Sequence, residues 1–367
     1  MRITSLTAEP FDLPLKEPFI IATGRKDAAN NVLVRVQLED GTVGFGEVAP
    51  SPYTTGDTQA TAIAAINHLR PVVEGRDVTG WRALLADTRK ALRHQFAAHS
   101  GVEIAVLDAF GKATGVSLHQ FFGGVRTKVE TDYTLSLGTP KDTAKSAAKA
   151  VAQGFHKIKI KVGMDVPTDT ARVIAVRKAC PKAELALDAN QAYSPKEAVD
   201  LANSIARAGI ELSLLEQPVR RDDFAGMRYV RQHCDFLVGA DETVFTPEDA
   251  IRVVREEAAD VINIKVAKAG LVGAMDIASI ARSANIGLMI GCMMESKVGL
   301  AASVHLACGL GCFTHCDLDS VYLLKPFECR GGYTQEGPVF SVEGVGPGTG
   351  IEYGGGGPRK GAATRRR

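Results

Sequence analysis

Residues 3–14 and 32–49 alternate apolar and polar side chains, as strands with one buried face do, and Asp40-Gly41 places a turn inside the second stretch, VLVRVQLEDGTVGFGEVAP. The pattern predicts an antiparallel meander. Between the two stretches lies PFIIATGRKDAANN, a polar, glycine-containing run that reads as a lid or specificity loop over residues 18–31. Helical periodicity then runs over 57–74, 82–95 and 99–114, with Asp57, Thr79 and Ser100 near the expected starts. The first 125 residues are therefore expected to form an α+β domain.

From Val129 the pattern becomes a strict alternation of short apolar runs and helical stretches. Strands are predicted near 130–137, 157–162, 184–189, 212–217, 236–241, 261–266, 287–293 and 311–317. Eight such strands, with helices between them, close a parallel barrel. After Asp319 no further crossover helix is evident, and the Gly-rich, strand-like residues 320–355 are expected to return and pack on the first domain. The predicted fold is thus α/β: a modified TIM barrel of (β/α)7β type over 126–319, with an N-terminal α+β capping domain over 1–125 completed by the C-terminal segment. Residues 356–367 end in PRKGAATRRR and read as a frayed, disordered basic tail.

The apolar runs of the barrel share a further feature. HKIKIK ends in Lys161, ELALD in Asp188, LSLLE in Glu216, FLVGAD in Asp241 and VINIK in Lys265, at separations of 27, 28, 25 and 24 residues. Each separation fits one strand plus one crossover helix. Every unit then delivers one functional group at the carboxyl end of its strand, where barrels of this kind build their sites.

Composition narrows the class rather than the chemistry. The chain has 367 residues, 45% apolar and 23% charged, which suits a globular enzyme with one barrel and a smaller partner domain. A formal net charge of +1 offers no field to recruit nucleic acid or an anionic membrane. No apolar run reaches the ~18 residues of a spanning helix and the N-terminus has no hydrophobic signal core, so a cytoplasmic protein is expected. Seven cysteines, an odd count in a chain too large to need disulfide staples, fit a reducing compartment. Cys308, Cys312 and Cys316, near His305 and His315, match no paired metal-ligand spacing, and a zinc site there is rejected.

Asp188, Glu216 and Asp241 stand on three consecutive strands, and three oxygen ligands without His or Cys suit one Mg²⁺. The plainer alternative is that each carboxylate caps the helix that follows. Lys161 and Lys265 lie four strands apart in an eightfold ring and face each other across its mouth. Two amines on opposite sides of a metal-held substrate can take a proton from one face of a carbon and return one to the other, a 1,1-proton transfer through a metal-stabilised enediolate. To act as bases near neutrality they need pKa values brought down to about 7–8 by burial and neighbouring cations, of which Lys159 is one. Lys268 is expected to face solvent at the following turn, the alternative being a second neighbouring cation beside Lys265. Asp317 and Asp319, in DLD at the end of the eighth strand, point the same way and read as a clamp for a substrate ammonium, against the alternative of two solvated loop aspartates.

These residues, with GEVAPSPYTTGDT, TDYTLSLG, KIKIKVG, LDANQAY, LLEQPV, GADE, INIKVAKAG, GCMMESKVGL and CDLDS along the whole chain, resemble the dipeptide epimerases of the muconate-lactonising subgroup of the enolase superfamily. The resemblance implies an isomerase acting at the α-carbon of the C-terminal residue of a dipeptide, with Ala-Glu from murein peptides as the expected substrate. It implies Lys161 and Lys265 as the acid/base pair, with Lys265 serving the L configuration and Lys161 the D. Asp188, Glu216 and Asp241 would hold Mg²⁺, Asp317 and Asp319 the α-ammonium, and Lys159 would touch the metal-bound carboxylate. Thr134, Cys292 and Met294 would line the side-chain pocket. A loop of the capping domain would close over the substrate and present Arg25 to its side-chain carboxylate; Arg25 lies about one residue from the position expected, for which Gly24 competes.

Three other readings share parts of this array. Another dipeptide specificity would use all of it. A cycloisomerase or o-succinylbenzoate synthase would use the same lysines and metal, but its substrates carry no ammonium for DLD to clamp. A non-catalytic metal-binding scaffold needs neither lysine. The expected partner is a small dipeptide, without nucleic acid or membrane, and with homo-oligomerisation left open.

Overall fold

The computed structural model describes residues 1–21 and 24–354, so the basic tail at 356–367 lies outside the described residues. The chain opens with three antiparallel strands, β1 (Ile3–Ile21), β2 (Gly24–Leu38) and β3 (Val43–Val48), which form the expected meander. The described parts of that stretch, residues 18–21 and 24–31, however, are not a free loop. Beyond a register shift between Pro14 and Phe19 the two strands pair again, Phe19 with Lys26 and Ile20 with Arg25, so these residues form the far end of a long two-stranded ribbon. Its polarity belongs to an outer face, since residues 24–28 alternate between half-buried and exposed.

Two helices, α1 (Gln59–Val73) and α3 (Phe96–Thr114), pack on this sheet, and α2 (Trp81–Ala91) packs against both of them. Their starts differ from those expected. Thr58, not Asp57, caps α1 in a reciprocal box with Thr61. Thr79 sits in a single 3₁₀ turn capped by Asp77, and α3 begins before Ser100 because the apolar run starts at Phe96.

A short helix α4 (Leu118–Phe121) leads to β4 (Lys128–Glu130), and the barrel follows. Its elements in order are β5 (Tyr133–Leu135), α5 (Pro140–Ala152), β6 (Lys157–Lys161), α6 (Val166–Ala179), β7 (Glu184–Asp188), α7 (Pro195–Arg207), β8 (Leu214–Glu216) and α8 (Phe224–His233). Then come β9 (Val238–Ala240), α9 (Pro247–Glu256), β10 (Val261–Lys265), α10 (Val266–Ser283), β11 (Gly287–Gly291), α11 (Lys297–Leu310) and β12 (His315–Asp317). All eight strands fall within the stretches predicted for them. They pair in chain order, and the seam between β12 and β5 is bridged by Asp132 N–H donating to the Cys316 carbonyl (2.9 Å) and Leu318 N–H donating to Thr131 Oγ1 (2.7 Å). A four-residue helix, α12 (Ser320–Leu323), stands where an eighth crossover helix would be. The chain then forms β13 (Thr334–Glu336) and β14 (Val339–Ser341), which pair with β4, and reaches α3 where Thr349 donates to Asp108.

Strand alternation separates packing from chemistry. Ile158 and Ile160 of β6 join the apolar layer with the surrounding helices, while Lys159 and Lys161 between and beyond them turn into the barrel. Leu214, Val261 and Met289 form a small apolar plug within it, each such burial contributing about 1.5–3 kcal/mol.

The capping helix α3 grips the chain just after Lys265. Ser100 donates to the Val266 carbonyl (2.7 Å), and Arg89 joins Glu103 (2.6 Å) to the Ala269 carbonyl (2.8 Å). Gly270 breaks α10 there with φ of 69°, and a Cβ on it would stand 2.2 Å from Glu103 Oε2. Only a residue without a side chain fits both the backbone and the contact.

Candidate active site

The register of the ladders brings the ionisable residues to one level. Lys161 is opposite Asp188, Asp188 opposite Glu216, and Glu216 opposite Gly239, just ahead of Asp241. On the other side Lys265 is opposite Gly291, and Gly291 opposite Asp317. Gly291 leaves the space that Lys265 crosses, since a Cβ there would stand 3.0 Å from its Cε.

Asp188, Glu216 and Asp241 bring carboxylate oxygens within 4.8 Å of one another, all three buried. None of them caps the next helix; Ser194, Asp223 and Thr246 do that. Four lysines face the three anions. Lys161 Nζ donates to Asp188 Oδ2 (2.5 Å), and Lys159 Nζ lies 3.2 Å from Glu216 Oε2 and 3.6 Å from Asp188 Oδ2. Lys265 Nζ is 2.7 Å from Asp241 Oδ2 and Lys268 Nζ 2.6 Å from its Oδ1. Lys268 is therefore not solvent-facing. The chain turns directly from β10 into α10, and that tight entry carries its side chain back under Asp241, where it is buried.

Charge is unevenly shared. Burial, and then the neighbouring Asp188, pushes Glu216 up to about 8. Burial acts on Asp188 in the same sense, but Lys161 and Lys159 outweigh it and hold Asp188 below the usual carboxylate range; Lys265 and Lys268 do the same for Asp241. The expectation of depressed lysine pKa values is not met at Lys265. Burial does pull its pKa down, yet Asp241 and Glu216 together raise it above the ordinary value. Those two are the carboxylates that a bound cation would engage in its place.

Beside the triad, Asn263 donates to Glu216 Oε1 (2.6 Å) and Asn190 to Glu242 Oε1 (3.2 Å). Glu242 is pushed up to about 7 by burial and then by Asp241. Among the described residues, Glu242 Oε2 and Asn190 Oδ1 are buried without a hydrogen-bond partner. Three converging carboxylates, further oxygens in reserve and no nitrogen or sulfur ligand make a donor set that fits Mg²⁺.

Asp317 and Asp319 form a second acidic cluster with Asp132. Lys159 donates to Asp317 Oδ2, Thr134 Oγ1 donates to Asp317 Oδ1 (3.2 Å), and Thr134 N–H donates to Asp319 Oδ2 (2.6 Å). Both aspartates are buried, 5% and 4% exposed, which removes the alternative of solvated loop carboxylates. Asp319 is pushed up to about 6 by burial and by Asp317.

A cavity of about 100 Å³ lies over this floor. Lys161 and Lys265 both line it, with Asp241, Asp317, Asp319, Thr134, Cys292 and Met294. Phe19, Gly24, Arg25, Lys26 and Tyr53 close it from the capping domain. Arg25 reaches it only at the rim; its side chain is 59% exposed and its guanidinium is paired with Asp27 (2.9 Å). Sequence reasoning passed over Asn190, Glu242, Asn263, Lys26 and Tyr53. Asn263 was open to detection, since it stands two residues before Lys265 on the inward face of the same strand. Glu242 follows Asp241 directly and carried no separate signal.

Residues 3–123 match the family described as Mandelate racemase / muconate lactonizing enzyme, N-terminal domain, and residues 142–354 the one described as Enolase C-terminal domain-like. The chain is 41% identical to the aromatic dipeptide epimerase of Herpetosiphon aurantiacus, over 94% of this chain and 97% of that one. It is 39% identical to the L-Ala-D/L-Glu epimerase of Bacillus subtilis, over 96% and 97%. Among solved structures it is similar to the dipeptide epimerase of Enterococcus faecalis complexed with Mg and L-Leu-L-Tyr, with TM-score 0.93 and 35% identity over 96% of this chain and 100% of that one.

Proposed function

The chain belongs to the mandelate racemase / muconate lactonizing enzyme family of the enolase superfamily, and from that premise we propose that it is a Mg²⁺-dependent dipeptide epimerase. It is an isomerase that inverts the α-carbon of a dipeptide's C-terminal residue. The relatives act on aromatic, Ala-Glu and other dipeptides, by name, so likeness supports the reaction more sharply than the side chain.

The observation that carries the reading is the pair Lys161 and Lys265, which enter one cavity from strands four apart with the carboxylate triad between them. In this reading each lysine faces one side of the α-carbon, so one removes its proton and the other delivers a proton to the opposite face. Mg²⁺ held by Asp188, Glu216 and Asp241 supplies Lewis-acid stabilisation of the charge that develops on the substrate carboxylate. Lys159 adds a fixed positive charge on the same side. Asp317 and Asp319, oriented by Thr134, receive the N-terminal ammonium and so set the distance from it to the reacting carbon. Cys292 and Met294 form apolar wall around the side chain, and the β1–β2 ribbon excludes water. The buried aspartate dyad favours this reading over a cycloisomerase of the same family, whose substrate offers no cation to it.

The test is incubation of L,L-dipeptides in D₂O with Mg²⁺, following deuterium at the C-terminal α-carbon by mass spectrometry and epimers by chromatography. Deuterated product of both configurations is expected, lost on chelation with EDTA and restored by Mg²⁺. Full turnover after exhaustive chelation overturns the metal assignment, and equal turnover of des-amino analogues overturns the clamp.

A further inference from the structure

Behind Lys161, outside the cavity, lies a buried ion pair on α6. Asp169 and Arg172 are both 0% exposed and bonded to each other (2.7 Å), and Arg172 is the largest fully buried side chain among the described residues. Its guanidinium also donates to the Lys161 carbonyl (2.6 Å), the Ser136 carbonyl (3.1 Å) and Thr143 Oγ1 (3.2 Å). The β5–β6 ladder extends to Leu135 opposite Ile160, and Ser136 and Lys161 are the next residues on the two strands. Arg172 therefore joins the strands one step beyond their last paired residues, at the backbone of Lys161 itself. Asp169 holds the chain on the far side of Lys161. Its Oδ2 accepts from Gly163 N–H and Met164 N–H (both 2.8 Å) and from the hydroxyl of Tyr193 (2.6 Å), which stands on the loop after β7. Starting α6 does not require this carboxylate, since Asp165 caps the helix.

Desolvation makes a buried ion pair a poor source of stability, and well-packed apolar residues would often serve as well. Apolar residues could not, however, fix two carbonyls and two N–H groups around one stretch of backbone. On the proposed epimerase reading, we infer that Asp169 and Arg172 are positioning residues for Lys161, and so act on one face of the α-carbon and not on the other. The chain after Lys265 is held by different groups, Ser100 and Arg89 of the capping domain, and shares none of these contacts. The effect of such positioning is large, because a displacement of about 1 Å at a reacting group can cost about 100-fold in rate.

Arg172→Lys keeps a cation beside Asp169 but loses the planar fork that spans the two carbonyls. Net epimerisation does not reveal which face is affected, because the equilibrium constant ties its two directions together. Initial loss of the α-proton in D₂O, measured separately from each pure epimer, does, and Lys161→Ala identifies the epimer that Lys161 serves. For that epimer Arg172→Lys is expected to slow exchange by about 10- to 100-fold, with the other epimer, served by Lys265, within about 3-fold of wild type. Tyr193→Phe removes a single hydrogen bond of the network and should give the same asymmetry at about 3- to 10-fold, which keeps the inference open to test if Arg172→Lys does not fold. Equal slowing of both epimers would show that the pair supports the barrel mouth as a whole, and unchanged exchange of both that Lys161 needs no such support. Either result overturns the inference and leaves the epimerase reading standing. Absence of exchange from every dipeptide in wild type overturns the epimerase reading and this inference with it.

Discussion

Lys159 donates to Asp317 across the seam of the barrel, from the second strand to the eighth, while lying 3.2 Å from Glu216 on the fourth. The carboxylate triad and the aspartate dyad therefore share a buried cation and are not independent sites. Burial alone would lower its pKa, but Asp317, Glu216 and Asp188 hold the ammonium well above its ordinary value.

Replacing Lys159 by Met should accordingly destabilise the protein by about 3–5 kcal/mol in metal-free buffer, since it leaves buried carboxylates without their counter-charge. Adding Asp317→Asn should recover part of that loss, because the two substitutions remove partners of one interaction. Urea melts of the two single variants and the double variant measure this coupling. Losses that simply add would show that Lys159 and Asp317 do not stabilise each other.

His305 gives the fold a pH dependence away from the site. It is buried on α11, with Nδ1 accepting from His119 N–H (3.1 Å) and Nε2 placed to donate to the Gly332 carbonyl (2.8 Å). Burial pushes its pKa down to about 4, below the usual value near 6.5. The unfolded chain binds this proton first, so the contribution is complete above pH 6.5 and lost as pH falls towards 4. The full loss is on the order of 3 kcal/mol. Stability of wild type should therefore fall more steeply between pH 6.5 and 4.5 than that of His305→Gln. Parallel profiles in urea melts would show that His305 is not the group responsible.

The barrel was legible because its strands are buried on the outward face and several of them end in an ionisable residue, as in KIKIK and ELALD. That pattern serves packing and chemistry at once. The ribbon at 18–31 was not, because its pairing is carried by backbone hydrogen bonds while its side chains are mixed, and a register shift after Pro14 interrupts the period. The same interruption hid which of Arg25 and Lys26 faces inward. Lys268 was misread for another reason: its burial depends on α10 starting at Val266, immediately after β10, which no local signal announces. The triad was legible through spacing and residue type, but the lysine pKa direction was not, since at Lys265 the surrounding carboxylates, Asp241 at 2.7 Å and Glu216, together outweigh burial.

The two lysines provide the sharpest test, because it joins barrel geometry to chemistry. Lys161 and Lys265 stand at the ends of β6 and β10, four strands apart in a ring of eight, and both line the cavity. If they face opposite sides of one α-carbon, Lys161→Ala and Lys265→Ala should each reduce epimerisation by several orders of magnitude, since a proton leaving one face is not delivered to the other. Each variant should still keep half of the chemistry. The surviving lysine abstracts from its own face and returns solvent deuterium with retention. With Lys265 serving the L configuration, Lys161→Ala in D₂O should exchange only the L substrate, and Lys265→Ala only the D. Mass spectrometry with chiral separation reads both outcomes in one sample. A variant that exchanges both epimers would mean that its remaining lysine reaches both faces, and the opposed pair would have to be abandoned for a single mobile base.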